Sequence, residues 1–233
     1  MSPASRLPRV VWWLFLADAL LVLVHVLLHR SNTFFSLDHE SNLPTIYQSL
    51  KYYSFAYLAF FNVWLARYLR ISTRARVLFW GSLGGLLLVL GLDELGTLHE
   101  SLEYFVGQSF PSVVRTVDGV GERLNYIGSH WVFYFLPFVL GFLVAAYFWV
   151  TYAARHYASR LKFLVAGFLL MLTIPVWEYV GSGGVGSWYP LFGAGEEYFE
   201  MMAITCLAAF VVYEARTLLA GLQKVRTRES GRE

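Results

Sequence analysis

Charge is scarce in this chain and cysteine is almost absent. Asp, Glu, Lys and Arg together make up 15% of the 233 residues, against 57% hydrophobic, whereas a soluble domain carries roughly a quarter charged residues. The shortage excludes an ordinary soluble domain and a basic nucleic-acid binder, and the apolar content excludes a disordered chain. The one cysteine, Cys206, lies inside an apolar run, so an internal disulfide, a zinc finger and a CxxC redox pair are ruled out. Internal repeats and low-complexity tracts are missing too. So is a small-x-small cleavage site after the first apolar run, which therefore reads as a retained helix and not as a secretory signal.

What is present is apolar length. Six stretches, at approximately 10–29, 46–69, 77–104, 129–153, 162–181 and 195–217, are each long enough to cross a ~30 Å hydrocarbon core as a helix. An outer-membrane barrel needs short alternating segments instead. The expected fold is all-α: a polytopic, single-domain six-transmembrane-helix bundle. Pro44 is placed to open the second helix and not to break it. Fourteen of the 18 basic residues fall before the first span, in the second and fourth connections, or after the last span, leaving Arg30, Lys51, Arg115 and Arg123 on the other side. By the positive-inside rule both termini are expected in the cytoplasm. The basic C-terminal stretch from Lys224 to Arg228 then reads as a topology determinant that also touches anionic lipid.

The acids segregate the other way. Asp38, Glu40, Asp93, Glu94, Glu100, Glu103, Asp118, Glu122, Glu178, Glu196, Glu197 and Glu200 fall on or near the outer side, joined by His25, His29, His39, His99 and His130. Counting from the inner-edge basic residue of each helix, His25 is 16 residues from Arg9, Lys51 is 16 from Arg67, Asp93 is 17 from Arg76, Glu178 is 16 from Lys162 and Glu200 is 16 from Arg216. Five helices would thus bring an ionisable group to one level, roughly 24 Å from the inner edge at 1.5 Å per residue. A charge at that depth is costly on an isolated helix, so these groups are expected to face inward and satisfy one another.

If the third span is one continuous helix, Asp93, His99, Glu100 and Glu103 share a face, and Glu94 points away from it. Glu196 and Glu200 stack at i, i+4, as do His25 and His29. Carboxylates mixed with imidazoles are the ligand set of zinc, iron and manganese. The candidate ligands of a divalent metal are Asp93, His99, Glu103, Glu178, Glu200 and His25, with Glu100, Glu196 and Glu197 as candidate proton carriers. A site on that side favours a lipid or cell-envelope substrate. The Glu-x-x-His pairs of a di-iron bundle and the His-Glu-x-x-His of a zincin are both missing.

Other readings stay open. Asp93, Glu178 and Glu200 with Lys51 also suit an ion-pair network that sets helix register in a structural or accessory subunit, or a proton or ion path in a coupled transporter, although no Gly/Pro-broken helix pair or inverted repeat is evident. Glu100, Glu103, Glu196 and Glu197 suit an interface with water equally well. His25 with His29 reads as an interfacial pair, and His130 beside Trp131 as part of an aromatic belt. The stretch from Gly181 to Gly186 formally contains G-x-G-x-x-G, but it follows a membrane helix where a dinucleotide fold needs a strand, so it reads as a loop.

Two stretches carry a resemblance. The segment from Leu37 to Thr45, LDHESNLPT, and Leu92-Asp93-Glu94 followed by His99-Glu100, are similar to the L-D-x-E-x-N-x-P-T and L-D-E-x-x-x-x-H-E patterns of a group of uncharacterised bacterial multi-pass membrane proteins. Tyr47 departs from that pattern, where the group has tryptophan nearby. The resemblance implies a bacterial inner membrane and marks Asp38, Glu40, Asn42, Asp93, Glu94, His99 and Glu100 as the group's signature. It implies no reaction. Membrane lipids are the expected surroundings, and the oligomeric state is left open.

Overall fold

The computed structural model describes residues 7–28, 34, 37, 42–112, 115–116, 119, 136–182 and 189–230. Seven helices account for most of them: α1 (Arg9–Leu28), α2 (Leu43–Tyr68), α3 (Arg74–Gly96), α4 (Leu98–Ser109), α5 (Leu136–His156), α6 (Leu161–Ser182) and α7 (Tyr189–Ser230). No strand occurs among the described residues. Among the described residues, three helical segments are long and apolar enough to cross a membrane: Arg9–Leu28, Arg74–Gly96 and Ala194–Thr227. Leu161–Ile174 is a shorter apolar stretch.

Local chemistry sets the helix boundaries. The side chain of Asn42 caps α2 by accepting from the Thr45 amide at 3.1 Å and the Thr45 hydroxyl at 3.2 Å, and Pro44 occupies the first turn, where a missing N–H costs nothing. Thr73 caps α3 in the same way, accepting from the Arg76 amide at 3.2 Å. At its other end α3 closes on Thr97, which is in the left-handed region (φ 47°, ψ 46°) and donates its N–H to the Asp93 carbonyl. The expected third span over 77–104 is therefore two helices. The shared face drawn through Asp93, His99, Glu100 and Glu103 does not hold, because a left-handed residue interrupts the 100° periodicity on which it rested.

α7 is the hub: it packs along α6 and also contacts α2 and α1, while α2 packs along α3 and α5 touches α6 and α3. The close pairs use glycine where backbones approach. A Cβ at Gly91 of α3 would stand 2.8 Å from the Tyr52 Cβ on α2, and one at Gly167 of α6 would meet Leu207 on α7 at 2.7 Å. Phe79, Trp80, Leu83 and Leu87 fill the main core with Leu207 and Phe210. Trp80 stacks on Phe210 and donates its indole N–H to the Tyr157 hydroxyl at 3.0 Å.

α1 inverts the polarity of a soluble helix. Its buried residues are Val11, Asp18 and His25, spaced by seven, while Trp12, Trp13 and Leu27 are 63%, 68% and 70% exposed. A helix that turns a carboxylate and an imidazole inward and its tryptophans and leucines outward is suited to an apolar surrounding.

Candidate functional site

The deepest polar contact is one that counting charges along the sequence missed. Asp18 on α1 and Lys51 on α2 are 0% and 4% exposed and pair at 2.7 Å. Every oxygen of the carboxylate is used: Oδ1 also accepts from the Tyr47 hydroxyl at 2.8 Å and Oδ2 from Thr205 of α7 at 2.6 Å. The ammonium donates a second bond to the Met201 carbonyl at 2.9 Å and lies 4.9 Å from the centre of the Tyr47 ring. Three helices are thus pinned at one point. The available signal was Asp18 itself, the only ionisable residue between Arg9 and His25 and seven positions before His25 on the same face.

The next residue of α2, Tyr52, donates to Glu200 Oε1 of α7 at 2.7 Å. Glu94 of α3 and Glu197 of α7 also lie within electrostatic range of the Tyr52 hydroxyl, and Glu94 and Glu200 within range of Lys51. Glu94, expected to point away, is half-buried and belongs to this group. Tyr53 donates to the Gly91 carbonyl at 2.8 Å, so Asp93 is within a turn of the same level. Asp93 and Glu196 are both half-buried.

Lys51, Asp93 and Glu200 thus do share a level, as the counts from their basic residues indicated, but His25 does not. Asp18 is the residue of α1 that reaches Lys51, and His25 stands two turns farther along, about 10 Å at 1.5 Å per residue. The reason is that Arg9 is a poor marker of where α1 begins its crossing, since long basic side chains reach well past their own Cα positions. His25 is buried, and its Nδ1 accepts the backbone N–H of Leu37 at 2.9 Å. A metal-bound imidazole normally uses its second nitrogen as a donor, so this bond gives His25 the task of holding Leu37 and sets it apart from the expected ligand role.

Among the described residues, no group of three or more His, Cys, Asp and Glu stands close enough to hold a metal ion. The side chains of His99, Glu100, Glu103 and Glu178 lie outside the described residues, as do Asp38, Glu40 and His130 entirely. Asn42 is placed, and its role is the helix cap.

Two further observations complete the polar interior. Gln48 and Ser49, each 2% exposed, carry buried polar atoms without hydrogen-bond partners: Nε2 and Oε1 of the amide, and the Ser49 Oγ. At the opposite end of the bundle Glu214 of α7 is gripped by Arg76 of α3 and by Arg160, the latter at 2.8 Å. Beside that clamp, burial pushes the Tyr157 phenol well above its usual range, with the nearby Glu214 adding to the effect.

The chain matches a family described as a domain of unknown function (DUF8692) over residues 10–213. Searches of curated proteins and of solved structures find no match.

Proposed function

The chain belongs to the DUF8692 family, and we propose that it is a six-span protein of the bacterial inner membrane, with both termini cytoplasmic, whose outward-facing carboxylate site binds a divalent cation and acts on a lipid or other cell-envelope substrate. The observation that carries this reading is the Tyr52–Glu200 hydrogen bond between α2 and α7, with Glu94 of α3 and Glu197 of α7 within electrostatic range of the same phenol. Hard carboxylate oxygens favour iron, manganese or zinc when an imidazole joins them, and His99 is the histidine nearest in sequence to Asp93 and Glu94. In this reading Asp93, His99, Glu103 and Glu178 would supply the remaining ligands, with Glu100, Glu196 and Glu197 moving protons to and from an activated water. The six spans and the orientation rest on the apolar runs and the distribution of basic residues, and the bacterial membrane on the resemblance of the LDHESNLPT and LDE segments.

A second reading has a specific observation behind it. The Tyr52–Glu200 hydrogen bond adjoins the Lys51–Asp18–Thr205 chain, an arrangement that a proton-coupled transporter would also use. Elemental analysis of protein purified without chelators separates the two: the enzyme reading expects stoichiometric zinc, iron or manganese that is lost in Asp93→Ala and Glu200→Ala. Protein free of all three metals would overturn it.

A further inference from the structure

Between Lys51 and Asp93 the chain has four arginines and no acidic residue. One of the four, Arg76, is taken up by Glu214. No described carboxylate pairs with Arg67, Arg70 or Arg74, and all three are exposed. A topology signal needs only positive charge near the membrane edge, so charge by itself does not make this turn a site. What sets it apart is its shape. Arg67 and Arg74 line an open groove of about 490 Å³ at the turn from α2 to α3, together with Ser72, Thr73, Val77 and Leu78.

The groove has two chemistries. Its polar part offers donors: two guanidinium forks, the Ser72 hydroxyl, and the Thr73 hydroxyl, whose oxygen already accepts from the Arg76 amide and whose proton is left to give. Forks and hydroxyls without a carboxylate suit an anion with several oxygens, a phosphate above all. Its apolar part begins one turn further along α3, where Leu78 is 61% exposed on a helix long and apolar enough to cross a membrane. On the α2 side Trp64 and Tyr68, 57% and 65% exposed, stack at 5.8 Å, and Arg67 lies three residues after Trp64 on the same exposed side. Exposed Trp and Tyr beside arginine mark the level at which hydrocarbon gives way to headgroups. A free phosphate would leave Val77 and Leu78 uncovered, whereas a lipid covers both parts. We infer that Arg67, Ser72, Thr73 and Arg74 bind the phosphate of an anionic glycerophospholipid whose acyl chain lies along Val77 and Leu78. Arg70, in the same turn, adds positive charge that disfavours a choline headgroup. This groove is at the opposite end of the bundle from Tyr52 and Glu200, and the inference shares with the proposed function only that α3 crosses a membrane.

The test uses the full-length protein in detergent, titrated with short-chain phosphatidylglycerol, with short-chain phosphatidylcholine and with glycerol 3-phosphate, and read as the shift in thermal unfolding midpoint. Phosphatidylglycerol should give a saturable stabilisation, with phosphatidylcholine binding about tenfold more weakly. The double variant Arg67→Gln, Arg74→Gln should weaken phosphatidylglycerol about tenfold and leave the unliganded midpoint unchanged, because neither arginine has an ion pair to lose. Removing the same charge at two exposed positions of α7, Lys224→Gln with Arg226→Gln, should leave phosphatidylglycerol binding as in the wild type. Ser72→Glu keeps both arginines and sets a carboxylate between them. It should abolish the preference for phosphatidylglycerol without destabilising the protein, since an acid just before α3 suits that helix end. Equal weakening by the two double variants would overturn the inference, because the binding would then follow overall charge and not this groove. Equal binding of the two lipids would overturn it as well, as would phosphatidylglycerol binding at wild-type strength in the Ser72→Glu protein. Should the Arg67, Arg74 double variant unfold more easily, Ser72→Glu alone decides. Stabilisation by glycerol 3-phosphate as strong as by the lipid would overturn the assignment to a lipid in favour of a soluble phosphate.

Discussion

Lys51 and Tyr52 are adjacent on α2, and Gln48 and Ser49 lie up to one turn before them, yet the polar groups of this short stretch are finished to different degrees. Both carboxylate oxygens of Asp18 are occupied and Lys51 has two hydrogen bonds and an aromatic face. The neighbouring group retains an amide and a hydroxyl with nothing to bond. The Glu214 clamp at the other end of the bundle resembles the first: one carboxylate held by two arginines from different elements. Burial of charge alone therefore does not mark a functional site in this molecule. The Asp18–Lys51 pair fastens three helices with both carboxylate oxygens occupied, whereas Gln48 and Ser49 are buried with polar atoms unbonded, as is Nε of Arg76 in the clamp.

Mutations should separate the two kinds. The largest effect is expected at the pair: Asp18→Leu or Lys51→Met alone leaves a charge buried without its partner and should cost about 3–5 kcal/mol, whereas the double variant should recover most of that. Thermal or denaturant unfolding of the two singles and the double in one detergent checks this, and an additive double would break the distinction. Next in size is Glu214→Gln, which weakens the charged bonds to Arg76 and Arg160 and should destabilise by about 2 kcal/mol without altering metal binding. Smallest in stability is Tyr52→Phe. It removes the bond to Glu200 and should cost about 1 kcal/mol, but it should lower the metal content read by elemental analysis. If Tyr52→Phe unfolds the protein as badly as Lys51→Met, the Tyr52–Glu200 contact is a fastener too.

Parts of this were legible from residues alone. Asn42 and Pro44 announce the start of α2 because capping is local, and Lys51 and Glu200 fall at one level because Arg67 and Arg216 mark comparable heights on α2 and α7. Asp18 was passed over because depth was measured from Arg9, which lies two turns out of step with the other markers. The break at Thr97 had no signal either: threonine seldom adopts φ near +47°, and nothing in Leu92–Leu98 resembles a glycine C-cap after the helix end except Gly96, one position early. The orphan state of Gln48 and Ser49 depends on what their packed surroundings leave unbonded, which is tertiary information.

The central claim is that polar groups from separate helices meet on the side of the membrane away from the cytosol. The single cysteine makes this directly measurable. In a Cys206→Ala background, cysteines placed singly at Ser109, the last residue of α4, and at Gln223, near the end of α7, both exposed, are probed with a membrane-impermeant thiol reagent on intact spheroplasts. The account predicts labelling of the Ser109→Cys protein at once and of the Gln223→Cys protein only after the membrane is permeabilised. Labelling in the opposite order would contradict it.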